Sequence, residues 1–398
     1  MPVSTKDVNG GDRRRLRAGW VLALVGVGAA AAAVLGDGAA TRSAANQDWP
    51  PFVLVAGLLL VGLVADEDGL FAAAGTQLAR VAKSGVASFV GAAVLIALVT
   101  SVLNLDTSVA FLTPVLVHAA RSRGDDDAPF LYGCILLSNA ASLLLPGSNL
   151  TNLIVLGHRR LPGGVFLHHV AGAWLVAVVV TAVVVGLAER RALRAPSQTV
   201  PRAPRPDVGV GAVAVAAVTV LVLVLRSPAL PVAAVGVGAV VLHVARARWW
   251  GPSSAPGTST VRRVPEVVGV PVLVGLFGVA VALGTLGRVW SGPATLLSHL
   301  DAWGTAAVAA GASVLVNNLP AASLLAARVP HRPLALLVGL DVGPNLFATG
   351  SLSWILWYRA ARLAGARPSI ARASLYGVIS APLAMAGALG VLALAGNR

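Results

Sequence analysis

The sequence predicts an all-α polytopic membrane protein made of two inverted repeats, each with a re-entrant hairpin and a broken transmembrane helix. Three observations predict it. Of 398 residues, 57% are apolar and only 12% charged, and the mean hydropathy of +0.81 is a membrane value. Apolar runs of about twenty residues recur from Trp20 to Leu394, each long enough to cross a hydrocarbon core about 30 Å thick. Polar interruptions of these runs fall at matched places in the two halves. A soluble enzyme, a secreted disulfide scaffold and a disordered tail are excluded, because no stretch outside the runs could bury a core of its own.

Taken in order, Arg13, Arg14, Arg15 and Arg17 precede the first run, and no small-residue cleavage site follows it, so that run is read as a retained helix rather than a signal. The predicted crossings are 19–35, 51–65, 130–157, 165–188, 208–225, 230–245, 266–287, 334–358 and 373–396. The stretches 84–120 and 303–327 are each interrupted near the middle by polar residues and predict hairpins that return to the side they entered from. With a cytoplasmic N-terminus, about three-quarters of the 30 Lys and Arg fall in inside segments, the bias the positive-inside rule requires. The chain then divides into a cytoplasmic tail 1–18, a first transmembrane repeat 19–188, a cytoplasmic linker 189–207 and a second transmembrane repeat 208–398. The linker is rich in Pro and Arg from Arg190 to Pro206, and Trp249 to Pro265 reads as a second connecting loop. A net charge of +14 distributed between apolar segments marks topology rather than a nucleic-acid partner. Cys134, the single cysteine, leaves no disulfide and no thiolate metal cluster.

The internal repeat carries the functional reading. The first hairpin holds Ser101-Val102-Leu103-Asn104-Leu105-Asp106-Thr107, and the second Ser313-Val314-Leu315-Val316-Asn317-Asn318-Leu319-Pro320. Further along come Pro146-Gly147-Ser148-Asn149-Leu150-Thr151-Asn152 in the first half and Gly343-Pro344-Asn345 with Gly350-Ser351 in the second. Pro146, Gly147, Pro320, Gly343, Pro344 and Gly350 are residues that interrupt a helix. A helix broken in lipid exposes N–H and C=O groups at a cost of several kcal/mol each, so breaks are tolerated where they line a wet cavity. Matched breaks in two oppositely oriented halves point to a secondary transporter with its site at the repeat interface. A single Pro-Gly interruption is also an ordinary packing kink, a reading that four matched interruptions outweigh.

Asp106 and Asp341 are the two acids that cannot be placed in loops or at span ends. Each can carry a proton or help bind a cation, and each can also cap a helix at a break. His118, His158, His168, His169, His243, His299 and His331 fall near span ends and form no metal site with a carboxylate. No Walker loop, nucleophile elbow or zinc motif is present, so no enzyme activity, cofactor or metal is expected and energy must come from an ion gradient or a separate ATPase.

Asp66-Glu67-Asp68-Gly69-Leu70-Phe71, Asn104-Leu105-Asp106 with Leu112-Thr113-Pro114, Ser138-Asn139-Ala140-Ala141-Ser142 running on through Ser148-Asn149-Leu150-Thr151-Asn152-Leu153, Asn317-Asn318-Leu319-Pro320, and Gly339-Leu340-Asp341-Val342-Gly343-Pro344-Asn345-Leu346 with Thr349-Gly350-Ser351-Leu352 resemble the arsenical pump membrane protein family of arsenite and antimonite permeases, within the ion transporter superfamily. The resemblance runs from about residue 50 to the C-terminus. It implies efflux of trivalent arsenic or antimony as the neutral trihydroxide in exchange for protons, sometimes with an ATPase partner, and often as a homodimer. The substrate and ion site it implies comprises Asn104, Asp106, Ser148, Asn149, Asn152, Asn317, Asn318, Asp341, Asn345 and Ser351. The neighbouring Asn-Asp pair usual in the first hairpin is split here by Leu105, and the Ser-Asn-Thr tips of dicarboxylate relatives are absent. A sodium- or proton-coupled organic-anion carrier, or a sodium/proton transporter, of the same superfamily is the alternative. The scarcity of lysine, present only as Lys6 and Lys83, points to a G+C-rich bacterium and so to the plasma membrane, with the bilayer as the chain's main partner.

Overall fold

The structure, a computed structural model, describes residues 5–82, 84–157, 162–194, 209–225, 227–250 and 257–396, and these residues are helical with no strand among them. Helices α1 (Thr5–Gly36), α2 (Gly38–Glu67) and α3 (Leu70–Val81) open the chain. Then come α4 (Gly85–Leu103), α5 (Leu105–Ser122), α6 (Ala128–Ala141), a 3-10 turn at Pro146–Ser148, α7 (Leu150–Leu156), α8 (Gly163–Ala188) and α9 (Arg190–Leu193). After α10 (Val210–Val224) the second half follows with α11 (Ala229–Trp250), α12 (Gly257–Val268), α13 (Val270–Val289) and α14 (Gly292–His299). It continues with α15 (Ala302–Val316), α16 (Asn318–Leu325), α17 (Pro333–Val342), a 3-10 turn at Gly343–Leu346, α18 (Ser353–Leu363) and α19 (Ile370–Leu394).

Packing is paired across the two halves. Helix α1 lies on α13 as α11 lies on α2, α5 lies on α18 as α16 lies on α7, and α2 meets α13 while α8 meets α19. Both of the first two contacts are made through small residues: Gly26 of α1 faces Gly275 and Gly278 of α13, and Gly57 of α2 faces Ala233 and Gly236 of α11. In lipid, where apolar burial gives little drive, such close backbone approach is what holds helices together. Helix α10 has no counterpart in this pairing. Each half otherwise holds an even set of crossings, so this one extra helix turns the second half over relative to the first.

Side-chain bonds sort the connections into two ends of the bundle. At one end, Arg123 after α5 donates to the carbonyls of Ala79 (2.5 Å) and Ala82 (2.8 Å) just before α4, which closes the first hairpin on the side it entered. Asp66, Glu67 and Asp68 at the end of α2 meet Arg263 and Thr260 of α12, His243 of α11 and the Gly211 N–H of α10 at this same end. Glu189 bonds Arg372 (2.7 Å) and Tyr376 (2.8 Å) here as well. We term this the basic face, since the positively charged segments meet there. At the far face, Arg328 after α16 donates to the Arg288 carbonyl at 2.8 Å, closing the second hairpin. Gln47 joins the Ile154 and Ala326 carbonyls there.

Among the described residues, seven helices are long and apolar enough to cross a membrane, and the crossings made of broken helices are shorter. Several sequence expectations are corrected. The second crossing begins at Gly38 rather than 51, so Asn46, Gln47 and Asp48 lie inside a helix. The stretch Trp249–Pro265 is not a free loop: α11 runs to Trp250, and α12 is tied to the end of α2 by Thr260 and Arg263, while 251–256 lie outside the described residues. Of the linker 189–207, Arg190–Leu193 is helical and 195–207 lies outside the described residues, as does His158. The tail 1–18 is helical from Thr5, with residues 1–4 outside the description.

Candidate functional site

Each hairpin turns on one asparagine. Asn104 has φ +89° and Asn317 φ +77°, the only positive-φ residues other than glycine among those described. Asparagine tolerates such angles better than other residues with a Cβ because its amide can bond the local backbone. Both do so. Asn104 ends α4 with its N–H on the Thr100 carbonyl (3.0 Å) and starts α5 by accepting from the Thr107 N–H (2.8 Å). Asn317 repeats this with the Ser313 carbonyl (2.9 Å) and the Leu319 N–H (3.3 Å). Behind each tip a serine folds back on its own helix, Ser101 on Ala97 (2.8 Å) and Ser313 on Ala309 (2.9 Å).

Each broken helix is bonded to the hairpin of its own half. The Ser148 hydroxyl donates to the Ser101 carbonyl at 3.0 Å and accepts from the Leu145 N–H at 2.9 Å. In the second half the Asn318 N–H donates to the Gly350 carbonyl (2.9 Å), and the Thr349 hydroxyl to the Val314 carbonyl (2.6 Å). Asn152 donates to the carbonyls of Ser142 (2.8 Å) and Leu145 (3.0 Å) on either side of the gap before Pro146, the latter also accepting from the Ser148 N–H (3.1 Å). Pro320 falls in the first turn of α16, where its missing N–H removes no intrahelical bond. Pro344 lies in the 3-10 turn, its carbonyl accepting from Trp354 Nε1 at 3.0 Å.

The two halves are then joined through buried polar bonds. Asn149 Nδ2 (3.0 Å) and the Thr151 hydroxyl (2.7 Å) both donate to Asp341 Oδ1. The Ser351 hydroxyl donates to Asn139 Oδ1 (3.2 Å), and Asn345 Nδ2 to the Leu136 carbonyl (2.9 Å). Asp341, Asn139 and Asn345 are fully buried. Between tips and breaks lies a cavity of about 20 Å³, room for about one water. Leu105 and Asp106 of the first tip line it, as do Asn149 and Leu150 of the first break, Asn317, Asn318 and Leu319 of the second tip, and Ser351 and Leu352 of the second break. Phe52 of α2 and Leu273 and Leu276 of α13 close the apolar side.

Of the ten candidate polar residues, Asp106, Asn149, Asn317, Asn318 and Ser351 thus line one cavity. Asp341 stands directly behind Asn149. Asn104, Ser148, Asn152 and Asn345 instead hold the tips and breaks in shape, although Asn104 Nδ2, Asn152 Oδ1, Asn345 Oδ1 and Asp341 Oδ2 are buried with no protein partner. Among the backbone candidates, Gly147 packs against Leu54 and Val222, Gly343 against Ala310, and Gly350 against Pro344. The cross-half bonds of Asn139 and Thr151 leave no mark in the sequence: each sits in a helical run where a small polar residue reads as ordinary packing. His243 lies in the last third of α11, its Nδ1 3.0 Å from Asp68 and its Nε2 3.6 Å from Glu67. No group of three His, Cys, Asp or Glu able to hold a metal occurs among the described residues.

The backbone electrostatics are nearly balanced. The N-termini of α5, α7, α16 and α18 start at the tips and breaks where α4, α6, α15 and α17 end, so their partial charges of about +0.5 and −0.5 largely cancel. The charge of the site is then set by Asp106 and Asp341, negative when ionised and neutral when protonated. No Lys, Arg or His lines the cavity. Such a site offers both donors and acceptors with little net charge, which suits a neutral hydroxylic solute, and its two acids can take up protons.

Comparison with curated proteins finds no match. The crystal structure of the Alcanivorax borkumensis YdaH transporter, reported to reveal an unusual topology, superposes with a TM-score of 0.54 at 16% identity, over 89% of this chain and 86% of that one, a likeness of fold. The family model for the citrate transporter CitMHS matches residues 14–350, which include both hairpins, the whole first break and the second as far as Gly350. Broken helices meeting hairpin tips from two inverted halves, together with that match over most of the sequence, place the chain among secondary transporters: it belongs to the CitMHS citrate transporter family.

Proposed function

We propose that this transporter exports a small uncharged hydroxylic solute in exchange for protons, with arsenite or antimonite in the trihydroxide form as the substrate. The carrying observation is the cavity lined by Asp106, Asn149, Asn317, Asn318 and Ser351 with no basic side chain. A trihydroxide presents three O–H groups that both donate and accept, which amides and hydroxyls satisfy without fixed charge. Asp106 and Asp341 supply the proton-binding groups. The gathering of basic segments at one face supports an N-terminus on the cytoplasmic side of a bacterial plasma membrane.

A second reading is favoured by the citrate description of the matching family. A tricarboxylate entering this cavity would meet Asp106 and no basic side chain, so it would need accompanying cations to be neutralised. The test is metalloid accumulation in an arsenite-sensitive host with and without the protein, repeated after collapse of the proton gradient, beside labelled citrate uptake in the same cells. The first reading requires lower, gradient-dependent arsenite accumulation and rescued growth. Citrate uptake without any effect on arsenite would replace it with the second.

A further inference from the structure

The sequence places Asp48 in a polar stretch outside the membrane, yet in the structure it is 1% exposed and lies within α2. It sits one helical turn before Phe52, which lines the central cavity. The adjacent Gln47 lines a second cavity, of about 430 Å³, at the far face between α2, α7, α10 and α11. That cavity reaches inward to Pro146 of the first break. Asp48 itself lines neither cavity, but it lies on α2 between Gln47, which lines the large cavity at one face, and Phe52, which lines the small polar cavity at the centre.

Its surroundings are those of a working carboxyl rather than a closed ion pair. Asp48 Oδ2 is buried with no protein partner. The groups facing the carboxylate are the Ser323 hydroxyl of α16 and the Arg288 guanidinium of α13. Arg288 spends NH1 on the Gly284 carbonyl (2.8 Å) and NH2 on Gln47 Oε1. Arg328 reaches this cluster only by donating to the Arg288 backbone carbonyl. Helices α7 and α16 carry no ionisable residue. On the other helices packed against α2, Asp106 of α5 belongs to the central cavity, and His243 of α11 and Arg263 of α12 belong to the basic face. A charge change at Asp48 thus acts chiefly on Arg288. Through Arg288 it acts on Gln47, whose Nε2 donates to the terminal carbonyls of α7 (Ile154, 2.9 Å) and of the α16 arm (Ala326, 3.1 Å).

We propose that Asp48 is a further proton-binding site, the port through which the coupling proton exchanges with the far face, and that its charge state sets the Gln47 clasp closing that face. The role deepens the proton-coupled reading above and rests on it. An acid that only buttressed the fold would have both oxygens bonded.

Two measurements on the full-length protein in membranes test it. Dicyclohexylcarbodiimide, an apolar reagent that modifies protonated buried carboxyls, is applied across a pH series and the labelled peptide identified by mass spectrometry. Asp48 labelling that falls as pH rises is expected; no labelling of Asp48 at any pH overturns the proposal without relying on a mutant that folds. In proteoliposomes, the ratio of ΔpH-driven arsenite accumulation to arsenite counterflow is expected to fall by about 5- to 150-fold in Asp48→Asn, the usual span of a coupling free energy between sites. Asp48→Glu is expected to recover most of that ratio. A wild-type ratio in Asp48→Asn overturns the proposal while leaving proton-coupled export standing. Wild-type protein that moves no arsenite but labels at Asp48 with pH overturns the substrate reading and leaves the proton site intact.

Discussion

Two asparagines decide whether the hairpins exist. The backbone at Asn104, with φ +89° and ψ 167°, lies in a region that residues with a Cβ avoid at a cost of order 1–3 kcal/mol. Asparagine offsets part of this by capping α5, a bond worth about 1 kcal/mol. Asn104→Gly should relieve the strain and lose only the cap, whereas Asn104→Ala loses the cap and gains strain. Thermal denaturation in detergent should rank wild type first, then Asn104→Gly, with Asn104→Ala lowest; equal midpoints for the two variants would refute the strain argument. A second test concerns Asp341, whose Oδ1 receives two donors from the opposite half. Thr151→Val removes one of them while keeping shape, and should cost about 1–3 kcal/mol of the buried network, read as weaker proton-driven accumulation; unchanged coupling would show the bond to be idle. The tip asparagines were legible in the sequence because an amide amid an apolar run needs a reason. Thr151 and Asn139 were not, since their partners lie in the other half of the chain and local spacing carries no trace of them. Asp48 was misplaced for a different cause: Asn46-Gln47-Asp48-Trp49-Pro50-Pro51 has the composition of a turn, and burial against α13 and α16 overrides it.

At the scale of elements, each face is fastened by side chains that bind carbonyls at helix ends. Gln47 does this at the far face for α7 and the α16 arm. Arg121, in the last turn of α5, does it at the basic face by donating to the Ala364 (3.0 Å) and Gly365 (3.1 Å) carbonyls beyond α18, with Asp127 holding its Nε at 2.8 Å. These are the equivalent helix pairs of the two inverted halves. Arg121→Ala should loosen the basic face alone. A reporter cysteine at Ala366, 3% exposed beside that clasp, should then react several-fold faster with a charged maleimide. Cys134 is buried and gives little background. Equal labelling rates with and without Arg121 would show that the contact does not gate access. The two broken helices were readable from Pro and Gly in the sequence. The fasteners were not, because a Gln just before an apolar run and an Arg just after one read as membrane-interface residues until the opposite carbonyls are in view.

For the molecule as a whole, inversion brings helix N-termini and C-termini to the centre in equal number, so their partial charges largely cancel. The carboxyls of Asp106 and Asp341 then fix what the centre can hold: ionised they repel anions, and protonated they leave a neutral site of donors and acceptors. That gives a direct test. Asp106→Asn removes one negative charge and keeps a polar side chain of the same size. Solute-driven proton movement, followed with an internal pH dye, should fall in this variant because one proton-binding group is gone, whereas arsenite counterflow, which needs no net proton movement, should persist. The two readouts separate charge from packing: a merely damaged cavity would lose both. If proton movement per arsenite is unchanged in Asp106→Asn, that carboxyl takes no part in coupling, and Asp341 would have to carry the proton at the centre by itself.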